Sequence, residues 1–540
     1  MHGVVRRPIR RPPVPMLGCY LRTMVRVITI VLLVACGGSP STDAGPDAAG
    51  RDAAPDTDAT DANLGDTALA DTLTDASSDA FDGRVDGVDP FRAFPEAEGY
   101  GAMALTGCDR DALRLIRVTS LDDSGPGTLR AALDADPIVD GELRVITFAV
   151  AGTIELQRSL RITTSCTYVA GQSAPGDGIQ IRFAASVPIA NVRTGLIIPH
   201  TGGLHDIVLR YLRVRIGRAE PARADNVSVQ HGERIVLDHL SGAFASDECF
   251  SAESDGDGEP LLGLTIQRSI FGAPLSDHAV GSIIGRQGSM SALADGFSVH
   301  HNLFAHMTHR NPMLQGSGDT QVISNLIYNW SSRVSRIHEE TRAEVLDNYM
   351  IPGPRNPSPG RGDFYRFNGR GNPRVRLAGN FAEGYGDVSW NEYERDEINE
   401  PVDRAALEMT EPLSPPVAVT ITPSVEVETN VLDDVGANAS LDCEGNFVPA
   451  SDALDQRIIR DVREGTGPAT NDETTDSPDD YGGFPTLTGT ACADDDEDGM
   501  PNAYELLHGF DPADASDARR DEDADGYTNL EEYLNASRPR

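Results

Sequence analysis

The sequence predicts an all-β chain, a right-handed parallel β-helix carrying a small C-terminal calcium-loop module, and two patterns predict it. Short β-branched runs of one shape recur at a fixed period through the middle of the chain, and an acidic twelve-residue pattern occurs twice near its end. Between Phe94 and about Ala382 few segments are long and periodic enough for a helix.

The period is read from three runs: Val299-His300-His301-Asn302-Leu303-Phe304, then the runs from Val322 to Ile327 and from Val345 to Met350. Their asparagines, Asn302, Asn325 and Asn348, stand 23 residues apart. A repeat in the low twenties means stacked coils. Leucine-rich repeats share the period but need a regular Leu pattern that is missing, whereas Asn ends a strand where side-chain amides can stack between coils. Looser copies begin at Ile235, Leu264 and Val375, so the insertions between them become loops. The three asparagines are expected to form a structural ladder with no catalytic role, and His239, His300 and His301 to be packed or hydrogen-bonded at the turns.

Composition bounds the chemistry. The chain has 540 residues, 39% of them hydrophobic, enough for a sizeable core. All 45 basic residues are Arg, so Schiff-base chemistry and a lysine base are excluded. Against 84 acids they leave a net charge of −39, which repels phosphate backbones and disfavours nucleic-acid binding. An acidic polymer as substrate would need local Arg or bound cations to reverse that field.

Val27 to Ala35 is an apolar run preceded by Arg22 and Arg26, the layout of a secretory signal and too short to span a bilayer. The sequence Leu33-Val34-Ala35-Cys36-Gly37 resembles the lipobox of bacterial lipoproteins, which makes Cys36 the expected acylated N-terminus of the mature chain and the membrane a partner through a lipid anchor. Gly37 to Pro90 holds thirteen Asp and no Glu amid Ala, Thr and Gly, and is expected to be a disordered tether. Five further cysteines follow Cys36 into an oxidising compartment, so at least one stays unpaired; Cys108 with Cys166 and Cys443 with Cys492 are conceivable bridges. Nothing in their spacing implies zinc.

The acidic pattern is Asp494-x-Asp496-x-Asp498-Gly499, with Glu505 at position 12, repeated as Asp521-x-Asp523-x-Asp525-Gly526 with Glu532. It provides carboxylates at positions 1, 3, 5 and 12 and the glycine of the sharp turn at 6, while Met500 and Tyr527 at position 7 offer backbone carbonyls. Fifteen acids between Asp494 and Glu532 repel one another without metal, so calcium is the expected cofactor of this module. Short helices are expected at Asn502 to His508 and Asn529 to Leu534; the unit resembles the half EF-hands of dockerins and thrombospondin type 3 repeats, with a structural cap preferred over a dockerin role.

Phe94-Pro95-Glu96-Ala97-Glu98-Gly99-Tyr100-Gly101, VTSLDDSGPGTLRAAL (118–133), VITFAVAGTIEL (145–156) and YVAGQSAPGDGIQIR (168–182) open a longer series. IVLRYLRVR (207–215), RIVLDHLSGAFASDE (234–248), HHNLFAHMTHRNPML (300–314) and VISNLIYNW (322–330) continue it, and in this order they resemble the pectate lyases of polysaccharide lyase family 1. The late segment 455–467 with YGGFP (481–485) resembles the strand-and-tail closure of these enzymes. The division that follows is a lipoprotein signal over 1–35, a linker over 36–92, a pectin lyase-like β-helix over 93–487 and the calcium module over 488–540.

The resemblance implies calcium-assisted β-elimination on pectate, an acidic plant cell-wall polysaccharide, giving 4,5-unsaturated oligogalacturonides. Asp225 and Asp247 match calcium ligands on successive coils, and Arg310, in Arg310-Asn311-Pro312-Met313-Leu314-Gln315, matches the Brønsted base. A guanidinium ordinarily keeps its proton to about pH 12, so such a base needs a site crowded with positive charge. The chain departs from the family in three places. Ser251 stands where many members carry a further carboxylate, leaving Glu248 or Glu253 to complete the metal site; Gln315 replaces the second Arg of the motif at the substrate; and the substrate-gripping Lys is missing, with His278 and Arg286 as its candidate substitutes. These departures keep two alternatives open: a non-catalytic β-helix that binds polysaccharide or acts as an adhesin, and a lyase for methylated pectin or another uronan. The expected location is the cell envelope, as an outer-membrane or cell-surface lipoprotein, or the medium after release.

Overall fold

The computed structural model describes residues 91–537 except 200–201, 218–222, 255–258, 276–277, 279, 287–292, 317, 361–362, 368–370, 391–393, 396–399, 402 and 470–476. The signal, Cys36 and the linker as far as Pro90 lie outside the described residues. Within them the chain winds as a right-handed parallel β-helix. Each turn of the winding lays one strand in each of three sheets: Gly232–Asp238, Ser241–Ala243 and Glu248–Ser254 form one coil, Leu261–Gln267, Ile270–Gly272 and Val280–Arg286 the next. The first two sheets have ten strands and the third eight among the described residues, with the pairing parallel until Gly386–Asp387 turns back on Phe381–Ala382.

Alternation along each strand directs every second residue inward, and stacking then repeats the same position coil after coil. In the first sheet Leu209, Leu237, Ile266, Val299, Val322 and Val345 pair in register. All six are buried in one continuous core. Each such aliphatic side chain contributes about 1.5–3 kcal/mol by leaving water.

The turn from the first sheet to the second explains the 23-residue signal. His301, Ser324 and Asp347 take positive φ there, as do His239 and Arg268 in earlier coils, and the chain bends sharply at that one residue. The asparagine that follows satisfies the amides the bend strands. Asn325 Nδ2 donates to Asn348 Oδ1 at 3.0 Å, and Asn302 N and Nδ2 both donate to Asn325 Oδ1 at 3.0 Å. Asn380 adds a further rung beyond Asn348.

One expectation is corrected. The segment from Asp455 is no strand but lies in a helix, Ala453–Glu464. Leu454, Ile458 and Val462 repeat at helical spacing, Asp452 caps the start through the amides of Leu454 and Asp455, and Gly465 ends the helix in the left-handed region. Its apolar face and that of Ser424–Asp433 lie on the second sheet against Ile270, Leu303 and Leu326. Arg213 and Arg215, both buried, pair with Asp452 and Asp455 at 2.6–2.8 Å and pin the helix start to the coils.

The C-terminal module packs on the outside of the early coils. Met500, Tyr504, Leu530, Tyr533 and Leu534 share a core with Leu113, Val145 and Tyr168. Arg110 makes two bonds of 2.9–3.0 Å to Glu531, and the disulfide Cys443–Cys492 ties the module to the preceding hairpin. Cys108 pairs with Cys166, and Cys249 is a buried free thiol.

Candidate active site

The corner leading into the third sheet gathers chemistry from four successive coils. Asp225 lies two residues before the strand Val227–Val229, Asp247 and Glu248 open Glu248–Ser254, His278 precedes Val280–Arg286, and His309 and Arg310 precede Met313–Gln315. Parallel strands stack about 4.8 Å apart, so residues at one corner of adjacent coils become neighbours without any long side-chain reach.

Asp225, Asp247 and Glu248 converge: one carboxylate oxygen from each lies within 4.8 Å of the other two. Ser251, in the place of an expected carboxylate, donates its one hydroxyl proton to Asp225 Oδ2 at 2.6 Å, and its Oγ lies 2.9 Å from the Ser228 hydroxyl. It positions Asp225 from the strand that Glu248 begins. Burial, with Asp247 alongside, pushes Asp225 up to about 7. Burial and the charges of Asp225 and Asp247 raise Glu248 well above the usual carboxyl range. Burial acts the same way on Asp247, but the hydrogen bond and charge of His278, whose Nδ1 is 2.5 Å away, outweigh it and hold that carboxyl low. Three hard oxygen donors crowded so that two resist ionisation fit a divalent cation such as calcium.

Arg310 reaches back two coils, and its guanidinium contacts Glu248 Oε1 directly. The backbone beneath it is held closely. Arg310 has φ of 65°, Ser282 N donates to its carbonyl at 2.6 Å, and Gly281 N donates to the carbonyl of His309 at 3.0 Å. A Cβ on Gly281 would stand 2.1 Å from the Arg310 carbonyl oxygen, so a glycine is required there by close approach alone.

The candidate substrate residues divide. His278 is turned to Asp247. Gln315 is half-buried on the outward face of the third sheet, in register with Gly285 on one side and His338 on the other. Arg286 ends the strand Val280–Arg286, and its side chain lies outside the described residues. Two cations that the sequence reading did not single out share that face: Arg336 and Arg366 are in register on adjacent strands, alternating with buried Ser335, Ile337, Tyr365 and Phe367. That alternation was present in the sequence as a signal. His309, which is held far below the usual imidazole range by burial and by Arg333 and Arg310, stays neutral beside Arg310.

Far from this corner, the two acidic loops have matching geometry. Gly499 N donates to Asp494 Oδ2 at 3.2 Å and Gly526 N to Asp521 Oδ2 at 3.0 Å; Met500 N and Tyr527 N donate to Asp498 Oδ1 and Asp525 Oδ1 at 2.8 and 2.9 Å. Asp494, Asp496 and Asp498 cluster within 4.8 Å, as do Asp521, Asp523 and Asp525. Glu505 and Glu532, at position 12 of each loop, are buried at the starts of the helices Asn502–His508 and Asn529–Leu534.

No family model matches the chain. A search of solved structures finds jun a 1, the major allergen from cedar pollen, at 14% identity over 63% of this chain and 92% of that one, with a TM-score of 0.44. It also finds a pectate lyase bound to hexasaccharide, at 12% identity over 63% and 96%, with a TM-score of 0.41. Among curated sequences, probable pectate lyase C of Aspergillus fumigatus is 29% identical over 454 residues, and that of Neosartorya fischeri is 30% identical over 454 residues, each alignment covering 83% of this chain and 94% of the relative. With identity of that level spread over nearly the whole length of the relatives, the chain belongs to the pectate lyase family and is a polysaccharide lyase.

Proposed function

We propose that the chain cleaves polygalacturonate by calcium-assisted β-elimination at the corner of Asp225, Asp247, Glu248 and Arg310. The observation that carries this reading is the meeting of three carboxylates with the guanidinium of Arg310 at one corner of successive coils. Asp225, Asp247 and Glu248 would hold the cation. Calcium held there would neutralise the uronate and stabilise the charge that develops next to it. Arg310, in its neutral guanidine form, takes the C5 proton as the C4–oxygen bond breaks and a C4–C5 double bond forms, and the departing oxygen takes a proton from water. Ser251 orients Asp225, His278 holds Asp247 ionised, and Gln315 and the half-buried Arg336 and Arg366 give the third sheet a polar and cationic outer face for a polyanion. The same charge logic answers the −39 of the whole chain, which would otherwise repel such a substrate.

In this reading the protein is exported and anchored through acylated Cys36, with the Asp-rich linker as spacer, as a cell-envelope lipoprotein. The loops Asp494–Glu505 and Asp521–Glu532 bind calcium and stabilise the cap on the early coils.

The test is to incubate the protein with polygalacturonate and calcium and follow the ultraviolet absorbance of the unsaturated product, with and without chelator. Absorbance should rise only with calcium, and Arg310→Ala should abolish it with an unchanged melting curve. A silent wild type that still retains polysaccharide on a column would replace catalysis with binding. Activity that survives chelation would point to methylated pectin.

A further inference from the structure

The C-terminal module holds a buried carboxylate that neither loop pattern includes. Asp517 lies between the loops, in the short turn Asp517–Arg519, and is 1% exposed. Its Oδ2 accepts from the amide of Asp511 at 3.1 Å, while Oδ1 is buried with no hydrogen-bond partner among the described residues. One oxygen of Asp517 lies within 4.8 Å of oxygens of both Asp498 and Glu505, which are themselves within that distance of each other. Glu505 is fully buried, and neither of its oxygens is hydrogen-bonded among the described residues; Asp498 leaves Oδ2 in the same condition. Buried polar atoms almost always have partners, so this many unpaired oxygens facing one another require a shared one. A spacing of 4.8 Å or less is what ligands about 2.4 Å from a common calcium ion show.

We propose that Asp517 ligates the calcium ion of the first loop together with Asp498 and Glu505, supplying from outside the loop an oxygen that loops of this kind often leave to water at position 9. The residue at that position, Asn502, already accepts the amide of Asp495 through Oδ1 at 2.9 Å. The inference rests on the reading of Asp494–Glu505 as a calcium loop. Asp517 is held for the task by its backbone: its amide donates to Asp514 O at 3.0 Å, and its carbonyl accepts from Arg520 N at 2.9 Å and from Asn529 Nδ2 at 2.8 Å. Asn529 belongs to the second loop, so each loop contributes to the order of the first site. Among the described residues no carboxylate from outside joins the cluster Asp521, Asp523 and Asp525, whose first and last members are exposed. The first site is therefore the tighter one.

The test is calorimetric titration of calcium into the whole chelator-stripped protein, comparing wild type with Asp517→Asn, Asp496→Asn in the first loop and Asp523→Asn in the second. The Asp517→Asn side chain keeps an oxygen to accept the Asp511 amide, and melting in excess calcium checks that the module remains folded. The expected result is that Asp517→Asn and Asp496→Asn weaken the same, tightest site at least tenfold, while Asp523→Asn weakens a different one. In terbium-loaded protein, luminescence decay in light and heavy water should report about one more metal-bound water in Asp517→Asn than in wild type. Unchanged affinity and water count in Asp517→Asn, with Asp496→Asn still impaired, would overturn the role of Asp517 and leave the loop reading standing. If no loop variant alters calcium uptake, the loop reading itself fails.

Discussion

The guanidinium of Arg310 rests on the carboxylate of Glu248, so the candidate base and a candidate metal ligand share one contact. In this arrangement Glu248 serves either Arg310 or a cation, and calcium must draw it from the guanidinium. Glu248→Gln should therefore lower the apparent calcium affinity of the cleft at least tenfold, since one carboxylate of three is lost. It should recover measurable turnover at saturating calcium, because Asp225, Asp247 and Arg310 remain. Arg310→Ala should stay inactive at every calcium concentration. Initial rates against calcium for the three proteins check this, and an unaltered half-saturation in Glu248→Gln refutes it.

Gly281 sets the position of Arg310 from the neighbouring coil. Adding one methyl in Gly281→Ala would drive a Cβ to 2.1 Å from the Arg310 carbonyl oxygen, and the loop must move by about an ångström to relieve it. A displacement of that size typically costs about 10²-fold in rate. The expected outcome is a fall of that order in kcat, with calcium affinity preserved because the three carboxylates sit on earlier coils. A kcat within a factor of two of wild type would mean that the loop does not place Arg310 for the reaction.

The Asn ladder is a stability device, not a chemical one. Asn325 Nδ2 donates to Val299 O at 2.9 Å and to Asn348 Oδ1, and its Oδ1 receives Asn302. Asn325→Ala strands these buried groups, at about 1–3 kcal/mol each. Denaturant unfolding should show a loss of about 2–4 kcal/mol, with specific activity per folded molecule unchanged.

Where the sequence was legible, it was because a chemical requirement repeats. One residue per coil must take positive φ and the next must satisfy stranded amides, which writes Asn302, Asn325 and Asn348 at a constant interval. The loop glycines Gly499 and Gly526 were legible for the same reason, each at positive φ in a turn that admits little else. The pairing of Arg310 with Glu248 was not, because 62 residues of chain separate them and only the coil stacking brings them together. Arg213 and Arg215 look in sequence like the outward residues of an exposed strand; a helix more than 230 residues later buries them, and nothing local announces it. That same helix resembles a closing strand in sequence, with the β-branched pair Ile458-Ile459 at its centre, and the Asp452 that caps its start stands just before the segment 455–467 that carries the resemblance. Asp517 escaped because it belongs to neither repeat.

His239 joins the helix Ser424–Asp433 to the coil through a charge network whose sign fixes a pH window. Its ring stacks on Tyr211 at 4.5 Å, with Nδ1 2.9 Å from Asp238 Oδ2 and Nε2 3.2 Å from Asp434 Oδ1; Arg210 and Arg268 close the network at 2.7 Å from Asp238 and Asp434. Burial works against the imidazolium, but the charges and hydrogen bonds of Asp238 and Asp434 outweigh it and raise His239 above the ordinary imidazole value. Burial likewise opposes ionisation of Asp238, yet His239 and Arg210 hold it far below the usual carboxyl range; for Asp434 the His239 hydrogen bond leads the same effect. A raised histidine stabilises the fold fully below its unfolded value of about 6.5 and loses that contribution as pH climbs through the folded value. The lowered carboxylates contribute above about pH 4 and lose their share as pH falls through their folded values. The network is therefore strongest between about pH 4 and 6.5. The melting temperature of His239→Gln should fall furthest below that of wild type in this window, and the gap should narrow steadily as pH rises above neutrality. A gap that is constant from about pH 5 to 9 would mean that His239 acts by packing on Tyr211 alone.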